Sequence, residues 1–329
     1  NVEVATSFWA FYGYATFISA ILLLIIPFFG YKKLLVSCNL FAGLSLLSII
    51  VFKNPTIYYI ATLLSLTGVQ LHYVLLAPYI SIYTNEENKI KWYTRAWYFG
   101  YIGYFFSTFL GGMITVKLFS INANITFEKA KELTSYLESL SPVFKQQYLN
   151  ANVQFLLIVG IIALIGIIPS LFVEEHKEDY TVEVKEVIDL PTKIKNIIQA
   201  TLNKNALLYL AYWSLVSFGM GLFVPYLTVY LNRNLHIDKA TSSSLVSLSY
   251  LAIAIFLLFT PYTVKKIGQV STLGLLFIFS IPFMLIIANG EMFGKYMIIV
   301  VGIALFFRAG LANLGSPIDS SLSMDIVPV

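Results

Sequence analysis

The sequence predicts an all-α polytopic membrane protein made of two pseudo-symmetric helix bundles, incomplete at both ends, on three observations. Of 329 residues, 58% are hydrophobic and 12% charged, and the mean hydropathy is +0.79; a soluble domain is about 45–50% apolar and about 25% charged. The apolar residues fall into nine runs, each close to the ~20 residues that a helix needs to cross the hydrocarbon core. Finally, residues 20–33 return 234 positions later: Ala20 meets Ala254, Ile21 Ile255, Leu23 Leu257, Leu24 Leu258, Pro27 Pro261 and Lys32 Lys266. A looser echo at offset 239 sets Ala77-Pro78-Tyr79 against Ser316-Pro317-Ile318. Duplicated halves on an apolar chain predict a site between two bundles.

The nine spans are read at 6–29, 34–52, 56–83, 93–118, 152–173, 206–231, 242–263, 270–288 and 296–324. Basic residues in the turns set orientation. One side collects Lys32, Lys33, Lys89, Lys91, Arg95, Lys177, Lys185, Lys193, Lys195, Lys204, Lys265 and Lys266, against Lys53, Lys117, Lys129, Lys131, Lys145, Arg233, Lys239 and Lys295 on the other. The first side is assigned to the cytoplasm, which puts residue 1 outside and residue 329 inside a cell membrane. Subtracting the repeat offset from the sixth span places its partner before residue 1. Adding it to the fourth and fifth places theirs beyond residue 329, so the chain is expected to be a fragment. Its domains are then an N-terminal bundle at 1–173 lacking its first helix, a cytoplasmic linker at 174–204, and a C-terminal bundle at 205–329 lacking its last two.

Within the linker, Pro191 opens an amphipathic run of Ile194, Ile197, Ile198 and Thr201, expected to lie at the interface. On the outer side, Thr126 caps a short helix carrying Leu133, Leu137 and Leu140 that Pro142 breaks, read as a packed hairpin in preference to a lid. Gly100, Gly103, Gly111 and Gly112 give the fourth span a small-residue surface for close helix approach. Pro225 and Pro282 are expected to kink their helices.

Composition also excludes several classes. A net charge of +4 gives no reason to expect nucleic acid. Cys38 is the single cysteine and His72, His176 and His236 have no ligand spacing, so neither a disulfide framework nor a metal or other cofactor is expected. A lipid enzyme embedded in the membrane would want clustered His, Asp or Glu at the interface, and the chain has no such cluster.

Chemistry concentrates in the last span. Arg308 and Asp319 are the charged residues placed clearly inside a span, where a charge costs about 2.5–3.5 kcal/mol and faces protein or a wet cavity. Arg308 is about 20 Å in from Lys295, and Asp319 about 16 Å further. Eleven residues are three turns, so both share a face with Ala312, Gly315 and Ser323. Two readings stay open: Arg308 holds an anionic group and Asp319 carries a proton or a gate, or each pairs with a neighbouring helix as a latch. Gln70 and His72 fall near mid-depth of the third span. Tyr101 and Tyr104 are mid-span on the fourth and are candidates for a solute path. Trp97, Tyr98, Tyr209, Tyr212, Trp213, Tyr226 and Tyr230 are read mainly as interface anchors.

Residues 307–328, with Arg308, Asn313, Pro317 and an acidic residue before Val327 and Pro328, resemble the tenth helix of the major facilitator superfamily. Gly30-Tyr-Lys-Lys33 resembles the tail of that family's loop between helices two and three, although Pro27, Phe28 and Phe29 stand where an aspartate and an arginine normally precede it. Ser107-Thr-Phe-Leu-Gly-Gly112 keeps a double glycine of the fifth helix without its glycine-proline. The resemblance covers the whole chain as helices two to ten of twelve. It implies a secondary active transporter that moves a small solute by alternating access of two bundles, with Arg308, Asp319 and Asn313 on the site. The implied partners are the solute and the lipid bilayer. Proton coupling is compatible with this reading, and a monomer is expected. A transporter-like scaffold or sensor without transport is the alternative.

Overall fold

A computed structural model of the chain describes residues 2–52, 54–180 and 202–325. The linker run from Pro191 to Thr201 lies outside the described residues, as do Lys53, Lys185, Lys193 and Lys195. The described residues form helices joined by turns, with no strand among them. Eight helical stretches among them are long and apolar enough to cross a membrane. The first, Ala10–Val51, has 42 residues, about 63 Å of helix for a hydrocarbon core about 30 Å thick. Gly30 divides it: its φ of 78° and ψ of 169° cannot continue a helix. The helix on either side of Gly30 is about 30 Å long, enough for one pass each, so the division is compatible with the nine spans read from the sequence.

Contacts divide the chain into two units, residues 1–83 with 152–202 and residues 84–151 with 203–329. The first contains α1 (Val2–Leu22), α2 (Ile26–Val51) and α3 (Pro55–Ile82). It also takes the second half of α6 (Pro142–Ile165) and the short α7 (Ile167–Leu171). Asn54 caps α3 by accepting from the Thr56 amide at 2.9 Å, with Pro55 at the helix start, where its missing N–H costs nothing. α3 packs against both α1 and α2. Ile26, Tyr31, Leu34, Cys38, Leu71 and Leu75 form the core there. Small residues set the spacing: a methyl on Gly68 would strike the Cys38 carbonyl, and one on Gly43 would lie 2.6 Å from Leu164.

A strap from Glu174 to Tyr180 closes the lysine-rich end of this unit. The Lys32 amide donates to Glu175 Oε2 at 2.9 Å, and the Tyr79 hydroxyl donates to the Glu174 carbonyl at 2.8 Å. The Tyr83 hydroxyl donates to Asp179 Oδ2, which also accepts from the His176 amide at 2.7 Å.

The second unit contains α4 (Lys89–Asn122), α5 (Phe127–Leu133), the first part of α6, α8 (Lys204–Phe223), α9 (Lys239–Leu257), α10 (Thr260–Ile267), α11 (Gln269–Ala288), α12 (Met297–Asn313) and α13 (Ser316–Asp325). α4 lies along α9, α9 along α12, and α12 along α11. The close approach on α4 is narrower than its glycine pattern suggests. Gly112 meets the Ser243 side chain, while a methyl on Gly100 or Gly103 would meet nothing within 4 Å. α5 is a packed element: Ala130 is buried with Phe119, the Thr134 carbonyl accepts from Asn232 Nδ2 at 2.9 Å, and Thr134 Oγ1 accepts from the Lys239 amide at 3.1 Å.

The prolines act differently from one another. α8 stops at Phe223, and a single 3-10 turn, Val224–Tyr226, follows around Pro225. Pro282 sits inside α11, which runs unbroken to Ala288. The last span is two helices. Pro317 has no N–H to offer Asn313, whose carbonyl accepts instead from Ser316 Oγ at 2.9 Å, and two turn residues, Leu314 and Gly315, separate α12 from α13.

Candidate functional site

Arg308, on the fourth turn of α12, is about 17 Å along that helix. Its side chain is half-buried, and the guanidinium carbon lies 4.4 Å from the centre of the Phe223 ring. A cation over a ring face gains about 0.5–2 kcal/mol. That is less than the estimated cost of placing the charge there. Among the described residues no carboxylate forms an ion pair with it. The latch reading, in which Arg308 pairs with an acid on a neighbouring helix, therefore has no partner among these residues.

Asp319 opens α13 on the other side of the break. Two turn residues, Leu314 and Gly315, lie between Arg308 and Asp319, and no ion pair joins them among the described residues. Instead Asp319 meets α8. Its carbonyl accepts from the Tyr209 hydroxyl at 2.9 Å, and that hydroxyl accepts from Trp213 Nε1 at 2.7 Å. The Tyr212 side chain is beside the Asp319 carboxyl. On α4, Trp97 Nε1 donates to Ser320 Oγ at 3.0 Å.

Asn313 turns its amide back on its own helix, donating to the Ala309 carbonyl at 2.9 Å. Tyr101 is buried, stacked with Trp97 at 5.8 Å and with Tyr250 at 6.2 Å between ring centres. Tyr104 stacks on Tyr250 at 5.2 Å. This aromatic group surrounds a core of Ile253, Ala254, Leu257 and Ala309, so α4, α9 and α12 meet in it, one residue from Arg308.

Gln70 and His72 belong to the other unit. Gln70 is buried, and its Nε2 donates to Thr16 Oγ1, tying α3 to α1. His72 is exposed, edge-on to Tyr73 at 5.9 Å. With Cys38, Asn39, Gly68 and Tyr73 it lines a shallow cavity of about 260 Å³. Among the described residues no three His, Cys, Asp or Glu side chains come together as a metal site.

The sequence pointed to Arg308, Asp319 and the α4 tyrosines, gave no sign of Phe223 or Tyr250 beside them, and offered Tyr209, Tyr212 and Trp213 mainly as anchors. The four-residue spacing of Tyr209 and Trp213 on one helix face was the available signal.

The profile of the Major Facilitator Superfamily matches residues 4–329. The chain belongs to the Major Facilitator Superfamily. A mutant of the nucleoside transporter NupG, solved by crystallography, superposes with a TM-score of 0.54 at 11% identity, covering 97% of this chain and 73% of that one. At this identity the likeness is one of fold. No curated protein matches the chain. As a Major Facilitator Superfamily member with eight long apolar helical stretches, it is a multi-pass membrane transporter.

Proposed function

We propose that the protein is a secondary active transporter that binds a small solute at mid-depth and carries it by alternating access of two bundles, 1–173 and 205–329. One observation carries the reading: the Arg308 guanidinium stands part-way through a membrane helix, against a ring face and without an ion pair among the described residues. A buried charge left without a counter-charge is costly, and a ligand that supplies one recovers the cost. Arg308 is the solute-binding cation, Tyr101 and Tyr104 shape the path beside it, and Asn313 stiffens the helix that carries it. Gln70 holds α1 to α3, and His72 stands at a side cavity of the first bundle. The lysine-rich ends face the cytoplasm of the cell membrane, and the transporter acts as a monomer. Coupling to protons fits a carboxylate at Asp319.

The test is uptake into liposomes carrying the full-length protein, under pH and membrane-potential gradients, with a panel of labelled solutes. Nucleosides belong in that panel because the NupG structure is that of a nucleoside transporter. Accumulation that requires a gradient supports the reading. A scaffold without transport would move nothing under any gradient.

A further inference from the structure

Three buried side-chain oxygens among the described residues have no hydrogen-bond partner: the Tyr212 hydroxyl, Gln269 Oε1 and Asp319 Oδ1. Their positions converge on one end of the second unit. Tyr212 is beside the Asp319 carboxyl, and its ring meets Phe277 at 6.5 Å. Leu273 packs on Gly315, and a methyl on that glycine would lie 4.0 Å from Asp319 Oδ2. Gln269, Leu273 and Phe277 succeed one another every four residues, so they line one face of α11. α11 and the α12–α13 span run in opposite directions, being consecutive passes joined by a short turn. One turn from Leu273 towards the start of α11 is Gln269, and one turn from Gly315 towards the end of the span is Asp319. The register brings Gln269 level with Asp319.

The donors do not balance. A carboxylate and an amide carbonyl only accept, and a tyrosine hydroxyl donates once. The Tyr209 hydroxyl is already committed to the Asp319 carbonyl and Trp213 Nε1 to Tyr209, which leaves one O–H, from Tyr212, for two acceptors. Acceptors shielded from water and left unpaired are destabilising. The arrangement lacks at least one donor.

We propose that Asp319, Tyr212 and Gln269 form a site for one small monovalent cation, a proton or an alkali ion. A proton on the Asp319 carboxyl would let it donate to Gln269 Oε1 while Tyr212 donates to its other oxygen. An alkali ion would take all three oxygens as ligands, in keeping with its preference for hard donors. Among the described residues, the other groups placed around Asp319 carry no charge: Tyr209 on α8, Leu273 on α11, and Trp97 on α4 through Ser320. Lys265 and Lys266 of α10 are exposed. Use of this cation as the coupling ion rests on the transport reading above, whereas its binding does not.

Binding is therefore measured without transport. Trp213 reports on the site through Tyr209, so its fluorescence is followed in full-length protein held in lipid nanodiscs. In one arm sodium chloride replaces choline chloride at constant ionic strength and pH. In the other, pH is varied in choline chloride alone. A saturable response in either arm, lost in Asp319→Asn and in Trp213→Phe and displaced about tenfold or more in midpoint in Gln269→Leu, a shift of about 1.4 kcal/mol, supports the site, and the responding arm names the cation. Absence of a saturable response in both arms, as when water alone satisfies the oxygens, overturns it. So does a response unchanged in Asp319→Asn. If that variant does not fold, Tyr212→Phe and Asp319→Glu are read in its place by the same midpoint criterion. Gradient-driven uptake that persists while both arms stay silent removes the cation site and leaves the transport reading standing.

Discussion

Gly30 and Gly268 share one backbone conformation, φ 78° and ψ 169° against φ 81° and ψ 167°. Each follows a proline that opens a helical segment, Pro27 and Pro261, and each ends the descent of its half into a turn. The intervals differ. Gly30 comes three positions after Pro27 and Gly268 seven positions after Pro261, so the second interval is longer by about one helical turn. Lys265 and Lys266 therefore close α10 before the glycine, whereas Lys32 and Lys33 follow theirs.

This pair gives a graded prediction. Alanine at φ near +80° and ψ near 167°, a region essentially confined to glycine, pays a backbone penalty of about 1–3 kcal/mol, which is the whole expected cost of Gly268→Ala, since a methyl there meets nothing within 4 Å. At Gly30 the same methyl lies 2.8 Å from both Glu175 carboxylate oxygens, so Gly30→Ala is expected to lower the thermal midpoint further. Adding Glu175→Ala should recover part of that excess and leave Gly268→Ala unaffected. Melting curves of the four proteins decide it.

The strap has a pH window. The His176 amide, followed by the Tyr83 hydroxyl, holds the Asp179 carboxyl below its ordinary 3.8. A depressed acid contributes stability above its unfolded value and loses it as pH falls through the folded one. In turn the bond to Asp179 holds the Tyr83 hydroxyl above its ordinary 10.0. That contribution is complete below the unfolded value and lost as pH rises through the folded one. Protection from hydrogen exchange at residues 174–180, taken relative to the unstructured-peptide rate at each pH, is expected to stay constant from about pH 4 to about pH 10 and to fall outside that window. Asp179→Asn should exchange faster throughout.

On α4 a close approach is made at Gly112 and not at Gly100 or Gly103. Gly112→Ala would drive a methyl into Ser243 and is expected to cost about 1–3 kcal/mol, as overpacking does. Gly103→Ala, with nothing within 4 Å, should leave the thermal midpoint unchanged or raise it through better helix propensity.

Gln70 and Arg308 should separate structure from transport. Gln70→Leu loses the bond to Thr16 and is expected to destabilise by about 1–3 kcal/mol, while the dependence of uptake rate on solute concentration keeps its shape. Arg308→Met keeps the apolar stem over Phe223 and should do the reverse.

Most of the fold was legible because bilayer length and apolar runs leave few options. The spans, the repeat and the charged pair on the last one were all readable from residue type. Three features were not. The positive φ at Gly30, which interrupts a 42-residue apolar stretch, has no signal in the residue types around it. The break at Leu314 follows from Pro317 combined with the Ser316 bond. The side chains of Tyr212 and Asp319 meet only through the packing of α8 against α13, and no spacing in the chain announces that.

The account depends most on Arg308 meeting the solute. In liposomes carrying the full-length protein, the initial rate of gradient-driven uptake is compared between wild type and Arg308→Ala at matched reconstitution and melting temperature. The account predicts a fall of at least about tenfold, the equivalent of about 1.4 kcal/mol. Equal rates for the two proteins would contradict it.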